Sequence, residues 1–159
     1  GNSCLSYLLH QCGVIGGGII NTDFSAPVLA TMRERYPDVT FRRDDARCMS
    51  FASGHFSLIV DKGMLDAMSS DSRESVGNVT AVLAEYHRVI RKVTGVCLIF
   101  SLFGHDYWQT FLHNSTDWAW DVQVIDATPH FDGIVEDCEL ISQDCESQRS
   151  FCGGVQATF

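Results

Sequence analysis

The sequence predicts a doubly wound α/β domain with a mostly parallel, Rossmann-like sheet. Predicted strands and helices alternate along residues 1–112, and each strand is a continuous apolar run. Continuous apolar runs are typical of parallel strands that helices cover on both faces. The chain has 159 residues, of which 45% are hydrophobic and 19% are charged, so one domain with a buried core is expected over residues 1–159.

The elements follow from the spacing of the apolar residues. Strands are predicted from short apolar runs at residues 19–22, 39–43, 56–60 and 96–100. Helices are predicted from apolar positions at helical spacing at residues 5–12, 26–36 and 79–90. Ser25 is placed to cap the second helix, and Pro37 ends it.

The rest of the chain gives weaker signals. Residues 71–77 are polar and predict a loop, and residues 16–18 form a glycine-rich turn. A further strand is predicted at residues 118–125 and a last one at residues 154–159. Residues 126–152 are polar and acidic without a clear period, and we interpret them as an irregular insertion.

The charge balance excludes some partners. The formal net charge is -9, whereas nucleic-acid binders present basic patches. No apolar run approaches the roughly 18 residues of a membrane span, and no signal-peptide pattern is present. We expect a cytoplasmic protein that binds neither nucleic acid nor membrane. An acidic surface is compatible with a basic protein partner, although many solvated surfaces are acidic for no specific reason.

The cysteines predict neither a disulfide framework nor a metal site. There are seven of them, an odd number, and no C-x-x-C pair occurs. Cys4, Cys12 and Cys97 occupy apolar positions, which predicts small buried side chains.

Three predicted strands end at aspartates, namely Asp23, Asp45 and Asp61. Ligands of such sheets bind beyond the carboxyl ends of the strands, so we expect the three carboxylates to converge on one crevice. An acid at the position of Asp23 can hold ribose hydroxyls, and one at Asp45 can accept a hydrogen bond from the amine of adenine. The alternative is a turn or helix cap at each position, and Asp44 competes with Asp45.

Several segments resemble one enzyme family, in the family's order. They are residues 1–3 (G-N-S), residues 23–25 (D-F-S), Asp45, residues 60–67 (V-D-K-G-M-L-D-A), residues 83–90 (L-A-E-Y-H-R-V-I) and residues 97–102 (C-L-I-F-S-L). The chain resembles the class I, seven-strand S-adenosylmethionine-dependent methyltransferases that modify lysines of translation elongation factor one-alpha. The similarity covers about residues 1–105, and its most specific part is the D-K-G-x-L-D-A string.

The resemblance implies S-adenosylmethionine as cofactor and a protein substrate, possibly a translation factor. Its cofactor site would comprise Gly1 and Asn2 near the methionine part, Asp23 and Phe24 at the ribose, Asp45 and Ala46 at the adenine, and Asp61 and Lys62 along the crevice. We assign no residue as a catalytic acid or base and none as a metal ligand; His105 could be a base, but a lone histidine is more often a surface or structural residue.

The acceptor side is less well defined. Asp61 or Asp66 could orient an incoming ammonium, and Tyr107 and Trp108 could line a channel for lysine. The alternative is that these aromatic residues, with Phe111, pack a helix on the sheet.

Two segments depart from the family pattern. The resemblance implies a first strand and further cofactor-loop glycines before Gly1, and this strand would be central in the sheet. We therefore expect the sheet of this chain to lack its first strand and a polypeptide that starts at Gly1 to bind S-adenosylmethionine poorly. Residues 131–152 have no counterpart in the family.

The expected reaction is direct displacement at the sulfonium methyl by a neutral lysine amine. One alternative is a small-molecule methyltransferase, which labelled cofactor with protein or metabolite extracts would distinguish. Another is a non-catalytic interaction module, which a cofactor-binding measurement would reveal. A nicotinamide-dependent dehydrogenase is disfavoured, because the glycines of residues 13–18 lack the G-x-G-x-x-G register and precede a strand.

Overall fold

A computed structural model of the chain describes residues 1–13, 18–69, 73–112 and 120–125. The elements in these ranges are α1 (Leu5–Gln11), β1 (Ile20–Asp23), α2 (Ala26–Arg35), β2 (Thr40–Arg43), β3 (Leu58–Lys62), α3 (Met64–Met68), α4 (Arg73–Val89), β4 (Val96–Phe100) and α5 (His105–Leu112). Strands and helices alternate along most of this part of the chain, as predicted.

The strands form two parallel pairs. β1 pairs with β2, with Asp23 opposite Arg43, and β3 pairs with β4, with Asp61 opposite Ile99. No hydrogen-bonded ladder joins the two pairs within the described ranges. The mixed α/β class with parallel strands is therefore confirmed. The seven-strand arrangement and the absence of a first strand stay predictions.

The larger part of the core lies on one face of the β3–β4 pair. Side chains alternate between the two faces of a strand, so Ile59, Asp61, Cys97 and Ile99 share this face. Helices α3, α4 and α5 cover it with the buried residues Leu65, Val79, Val82, Leu83, Tyr86 and Trp108. On the opposite face of β4, Val96, Leu98 and Phe100 are exposed.

A second, smaller core joins α2 to the β1–β2 pair. Its buried residues are Leu29, Met32, Val39 and Phe41. Arg33 of α2 strengthens the contact, because its guanidinium donates to the carbonyl of Phe41 at 2.8 Å. Tyr7 of α1 stacks on Tyr36 with 4.7 Å between ring centroids, which brings α1 to the same cluster.

Several predicted boundaries were wrong. β3 begins at Leu58 rather than at residue 56, where Phe56 forms an isolated bridge with Ile90. Residues 73–77, predicted as a loop, form the start of α4, because packing of the apolar stripe further along extends the helix through a polar first turn. The short helix α3 was not predicted.

The predictions for the C-terminal part of the chain are tested only over residues 120–125. Residues 120–125 contain no regular secondary structure, so the strand predicted at residues 118–125 is wrong in its described part. The predicted insertion at residues 126–152 and the last predicted strand lie outside the described residues. None of the helices in the described ranges combines the length and apolar character needed to cross a lipid bilayer.

The cysteines differ in environment. Cys4 is buried, as predicted, but it is disulfide-bonded, so the prediction of a simple apolar thiol was wrong. Cys12 is exposed, because it lies just beyond the end of α1, a helix without buried residues. Cys97 is partly buried, and its burial and the nearby charge of Asp61 raise the pKa of the thiol to about 12.

Truncating the buried side chain of α3, Leu65, should destabilise the domain. The Leu65 side chain is fully buried, so Leu65→Ala should lower the free energy of unfolding by about 2–5 kcal/mol, through lost burial and an unfilled cavity. Leu102→Ala is the matched control, because Leu102 is 99% exposed, and should change it by less than about 0.5 kcal/mol. Urea-induced unfolding measures both. Equal losses in the two variants would contradict the packing described here.

Candidate functional site

The first site residue, Asp23, ends β1 and turns the chain towards α2. One carboxylate oxygen accepts the amide of Ser25 at 2.8 Å, and the other contacts the amino group of Gly1. The side chain is 16% exposed. Partial burial acts to raise the pKa of Asp23, but hydrogen bonds from the Gly1 amine and the Ser25 amide outweigh it, so the pKa falls below its ordinary value. The start of the G-N-S segment thus lies beside the ribose-binding candidate.

Two exposed groups flank this carboxylate. The ring of Phe24 is 70% exposed, while its carbonyl accepts from the Arg43 guanidinium at 3.2 Å. Asn2 is also exposed. The predicted ribose acid therefore has an apolar ring next to it in the chain, with the backbone of that ring tied to the end of β2.

The two aspartates after β2 have different roles. The carboxylate of Asp44 accepts from the hydroxyl of Ser50 at 2.8 Å, from the Ser50 amide and from the Asp45 amide. Asp44 therefore shapes the loop. The Asp45 side chain is 42% exposed and pairs with Arg47.

The pairing leaves Asp45 with capacity for a ligand. Arg47 donates to one Asp45 oxygen through its amide at 2.9 Å and its Nε at 3.0 Å, and to the other through Nη2 at 2.8 Å. These hydrogen bonds lower the pKa of Asp45 to about 2. A carboxylate has about four lone-pair sites, so one remains for another donor. The geometry favours Asp45 over Asp44 as the ligand-facing acid. The neighbouring Ala46 packs partly against the main core.

The third predicted site residue, Asp61, points into the protein. It is 3% exposed, and its carboxylate accepts from the Tyr86 hydroxyl at 2.7 Å and the Met64 amide at 2.9 Å, with a weaker contact to the amide of Leu65. We predicted that Asp61 lines the crevice. Its side chain is instead buried between α3 and α4, because the first amides of α3 have no partner within the helix and the carboxylate supplies one.

The neighbours of Asp61 make this arrangement possible. Gly63 adopts φ of +71°, a left-handed conformation that glycine accepts readily, and it is the N-cap of α3. Its amide donates to the Phe100 carbonyl at 3.1 Å, which fixes the turn to the end of β4. Lys62 is exposed at the end of β3. Of the predicted pair Asp61 and Lys62, only the lysine faces outward.

Burial and charge oppose each other at the Asp61–Tyr86 pair. Burial raises the pKa of Asp61, and the hydrogen bond from Tyr86 counteracts this only in part. The pKa of the Tyr86 hydroxyl is raised as well, by burial and by the adjacent carboxylate. The tyrosine therefore remains a proton donor to the acid, which is the arrangement that a structural hydrogen bond requires.

Asp66, a predicted acceptor-side residue, fastens α3 to the loop after β4. Its oxygens accept from the Ser101 hydroxyl at 2.6 Å and from the Leu102 amide at 2.8 Å. The Trp108 indole donates to the same hydroxyl at 2.8 Å. This carboxylate is thus engaged within the protein rather than presented to a substrate.

The two predicted channel residues are placed differently. Trp108 is 7% exposed in the main core, so here the alternative prediction, a helix packed on the sheet, is correct. Tyr107 is half-buried and stacks on Phe103 with 4.6 Å between ring centroids. Phe103, which precedes α5, is 42% exposed and thus more accessible than Tyr107 or Trp108.

A cavity that the sequence did not indicate lies beside the end of β4. Its volume is about 240 Å³, and it is bounded by β4, α4, α5 and residues 120–125. The indole nitrogen of Trp120 is buried there without a hydrogen-bond partner in the described part of the chain. The cavity depends on residues far apart in the chain, so local patterns carry no signal for it.

The chain is similar to proteins named as methyltransferases of the elongation factor eEF1A. It is 34% identical to the human "eEF1A lysine and N-terminal methyltransferase" over 151 residues, covering 82% of this chain and 20% of that protein. It is 36% identical to the mouse "EEF1A lysine methyltransferase 4" over 102 residues, covering 57% of this chain and 38% of the relative. The chain thus spans well under half the length of these relatives. The family resemblance predicted from the motifs is confirmed.

The fold has a counterpart among solved structures. The PH0226 protein from Pyrococcus horikoshii OT3 superposes with a TM-score of 0.51 and 22% sequence identity, over 61% of this chain and 43% of that protein. This similarity supports the fold alone. No family model matches the chain.

The buried acid should make stability depend on pH. Since the folded state raises the pKa of Asp61, the folded protein holds this proton more tightly than the unfolded chain. The contribution of Asp61 to stability should therefore fall as pH rises above its unfolded pKa of about 3.9, and level off above the raised folded value. Asp61→Asn lacks this titration. The free energy of unfolding of the wild type, minus that of Asp61→Asn, should decrease over this range.

Urea unfolding at a series of pH values measures the difference, in which the other carboxylates cancel. Asp38→Asn, which removes an exposed carboxylate, controls for the loss of one negative charge. A difference that grows in favour of the wild type as pH rises would show that the folded state lowers the pKa of Asp61.

Proposed function

We propose that this relative of the eEF1A lysine methyltransferases transfers a methyl group from S-adenosylmethionine to a protein lysine. The observation that carries the proposal is the placement of Asp23 and Asp45 at the carboxyl ends of two neighbouring parallel strands. That position is where nucleotide-like ligands bind in open α/β sheets. The names of the relatives supply the reaction and the substrate class.

The residues at this edge fit the cofactor chemically. Asp23 accepts from the amide of Ser25 and the amine of Gly1, with a weaker contribution from the Phe24 amide, and its remaining acceptor capacity suits a ribose hydroxyl. Asp45 retains an acceptor position for the amine of adenine, and the exposed ring of Phe24 offers an apolar surface. We propose Gly1 and Asn2 for the methionine part and Lys62 for the crevice wall. The cofactor supplies an electrophilic methyl group; the protein supplies orientation and electrostatics.

The acceptor amine needs to be neutral to attack. Lysine has an ordinary pKa of about 10.4, so its ammonium group has to lose a proton before the nitrogen attacks the methyl group. Asp61 and Asp66, the two carboxylates considered for orienting the ammonium, both accept hydrogen bonds from within the protein. We therefore propose that water takes the proton and that the protein's role is to hold the lysine amine in position for the attack. Phe103 and Tyr107, stacked beyond β4, are the candidates for contact with the lysine side chain.

The substrate and location belong to the same proposal. A net charge of -9 favours association with a basic protein, and the relatives are named for eEF1A. We propose a translation factor as the protein substrate and a cytoplasmic location.

The ribose contact gives a direct test. Asp23→Ala in the full-length protein should weaken S-adenosylmethionine binding by about tenfold to a hundredfold, since a hydrogen bond to a charged group contributes about 1.5–3 kcal/mol. Asp38→Ala removes an exposed carboxylate elsewhere and should leave affinity unchanged. Isothermal titration calorimetry on both variants, after their folding is checked, measures the effect. Unchanged affinity in a folded Asp23→Ala variant would remove Asp23 from the site.

Labelled cofactor distinguishes the substrate classes. Incubation with purified eEF1A and, separately, with a metabolite extract should place the methyl label in the protein. Label found only in small molecules would identify a small-molecule methyltransferase. Absence of cofactor binding by the wild type would identify a non-catalytic interaction module.

A further inference from the structure

Helix α4 holds the backbone of the loop that follows β2. This loop, residues 44–51, carries Asp45 and Ala46. One oxygen of Glu85 accepts the Met49 amide at 2.6 Å, and the Arg88 guanidinium donates to the Met49 carbonyl at 2.9 Å. Arg88 also donates to the carbonyl of Phe51 at 2.7 Å. Two side chains of one helix turn thus satisfy three peptide groups of the loop.

The two clamping side chains also fix each other. The guanidinium of Arg88 donates to both oxygens of Glu85, at 2.6 and 2.7 Å. Such a bidentate pair is directional and restricts both side chains to one geometry. The Glu85 side chain is 15% exposed and that of Arg88 35%, so solvent screens the pair only in part. The pair is therefore suited to hold the peptide groups of the loop in a defined position.

Further contacts connect the loop to β2 and to α4. Phe51 is buried, and the Arg42 guanidinium lies 4.6 Å from the centre of its ring. At the ligand-facing end, Arg47 bridges Asp45 to the Asn78 side chain of α4, to which it donates at 3.2 Å. Displacement of the loop from α4 would therefore displace the Asp45 carboxylate.

We propose that Glu85 and Arg88 are positioning residues that set Asp45 and Ala46 for recognition of the adenine of S-adenosylmethionine. The inference rests on the function proposed above. Both residues act through the backbone of the loop, because their side chains hydrogen-bond peptide groups of Met49 and Phe51. They lie on a helix packed against the β3–β4 pair, while the loop continues from β2, so the clamp also fixes the adenine-binding edge relative to the other strand pair.

The variants are Glu85→Gln, which keeps an acceptor for the Met49 amide but loses the charge, and Arg88→Lys, which keeps the charge but loses the planar donor array. Arg91→Lys, at an exposed position just beyond the same helix, is the matched control. Each clamp variant should weaken S-adenosylmethionine about fivefold to fiftyfold, and the control less than twofold. The rate of methyl transfer at saturating cofactor should change less than twofold, because the loop affects binding of the adenine and not the reacting atoms.

Two readouts separate positioning from general destabilisation. The probe 5′-methylthioadenosine, which carries the adenine but no amino-acid part, should lose affinity by the same factor as the full cofactor. Hydrogen exchange of the Met49 amide, measured without ligand, should accelerate in Glu85→Gln. Folded clamp variants that bind both ligands like the wild type would overturn the positioning role while leaving the proposed function standing. A wild type that binds neither ligand would overturn both.

Discussion

The buried carboxylate of Asp61 is the interaction on which the main core depends. It belongs to β3, accepts hydrogen bonds from the first amides of α3 and is capped by the Tyr86 hydroxyl of α4. A charge at 3% exposure costs several kcal/mol unless it is hydrogen-bonded. Three elements therefore have to be in place together. Since α3 in turn contributes Leu65 to the core and Asp66 to the loop after β4, the arrangement at Asp61 also organises the carboxyl end of the β3–β4 pair.

Most residues of the most specific motif thus have a structural role. In the D-K-G-M-L-D-A string, both acids accept hydrogen bonds inside the protein and the glycine adopts a left-handed conformation at the start of a helix. Only Lys62 among its charged residues is exposed. Strand-end acids in this class of sheet can bind ligands, and sequence alone does not distinguish that use from a structural one.

The accuracy of the sequence predictions follows from the range of the interactions behind them. The bounds of β4 were predicted to the residue, because an apolar run before a polar loop is a local pattern. The positions of Asp23 and Asp45 at strand ends were predicted for the same reason. The orientation of Asp61 depends on Tyr86, 25 residues away, and the role of Glu85 on a backbone amide 36 residues away. The local spacing of apolar residues therefore could not predict either interaction.

The clamp on the loop after β2 has a consequence for how this surface can diversify. Glu85 and Arg88 hydrogen-bond peptide groups, which every residue possesses. These hydrogen bonds involve no side chain of the loop. Replacement of the exposed Cys48 therefore leaves the anchorage intact, provided that the backbone keeps its path. The two helix residues have no such freedom, because each satisfies several partners at once. The exposed side chains of the loop can therefore change while its attachment to Glu85 and Arg88 of α4, which uses only peptide groups of the loop, stays the same.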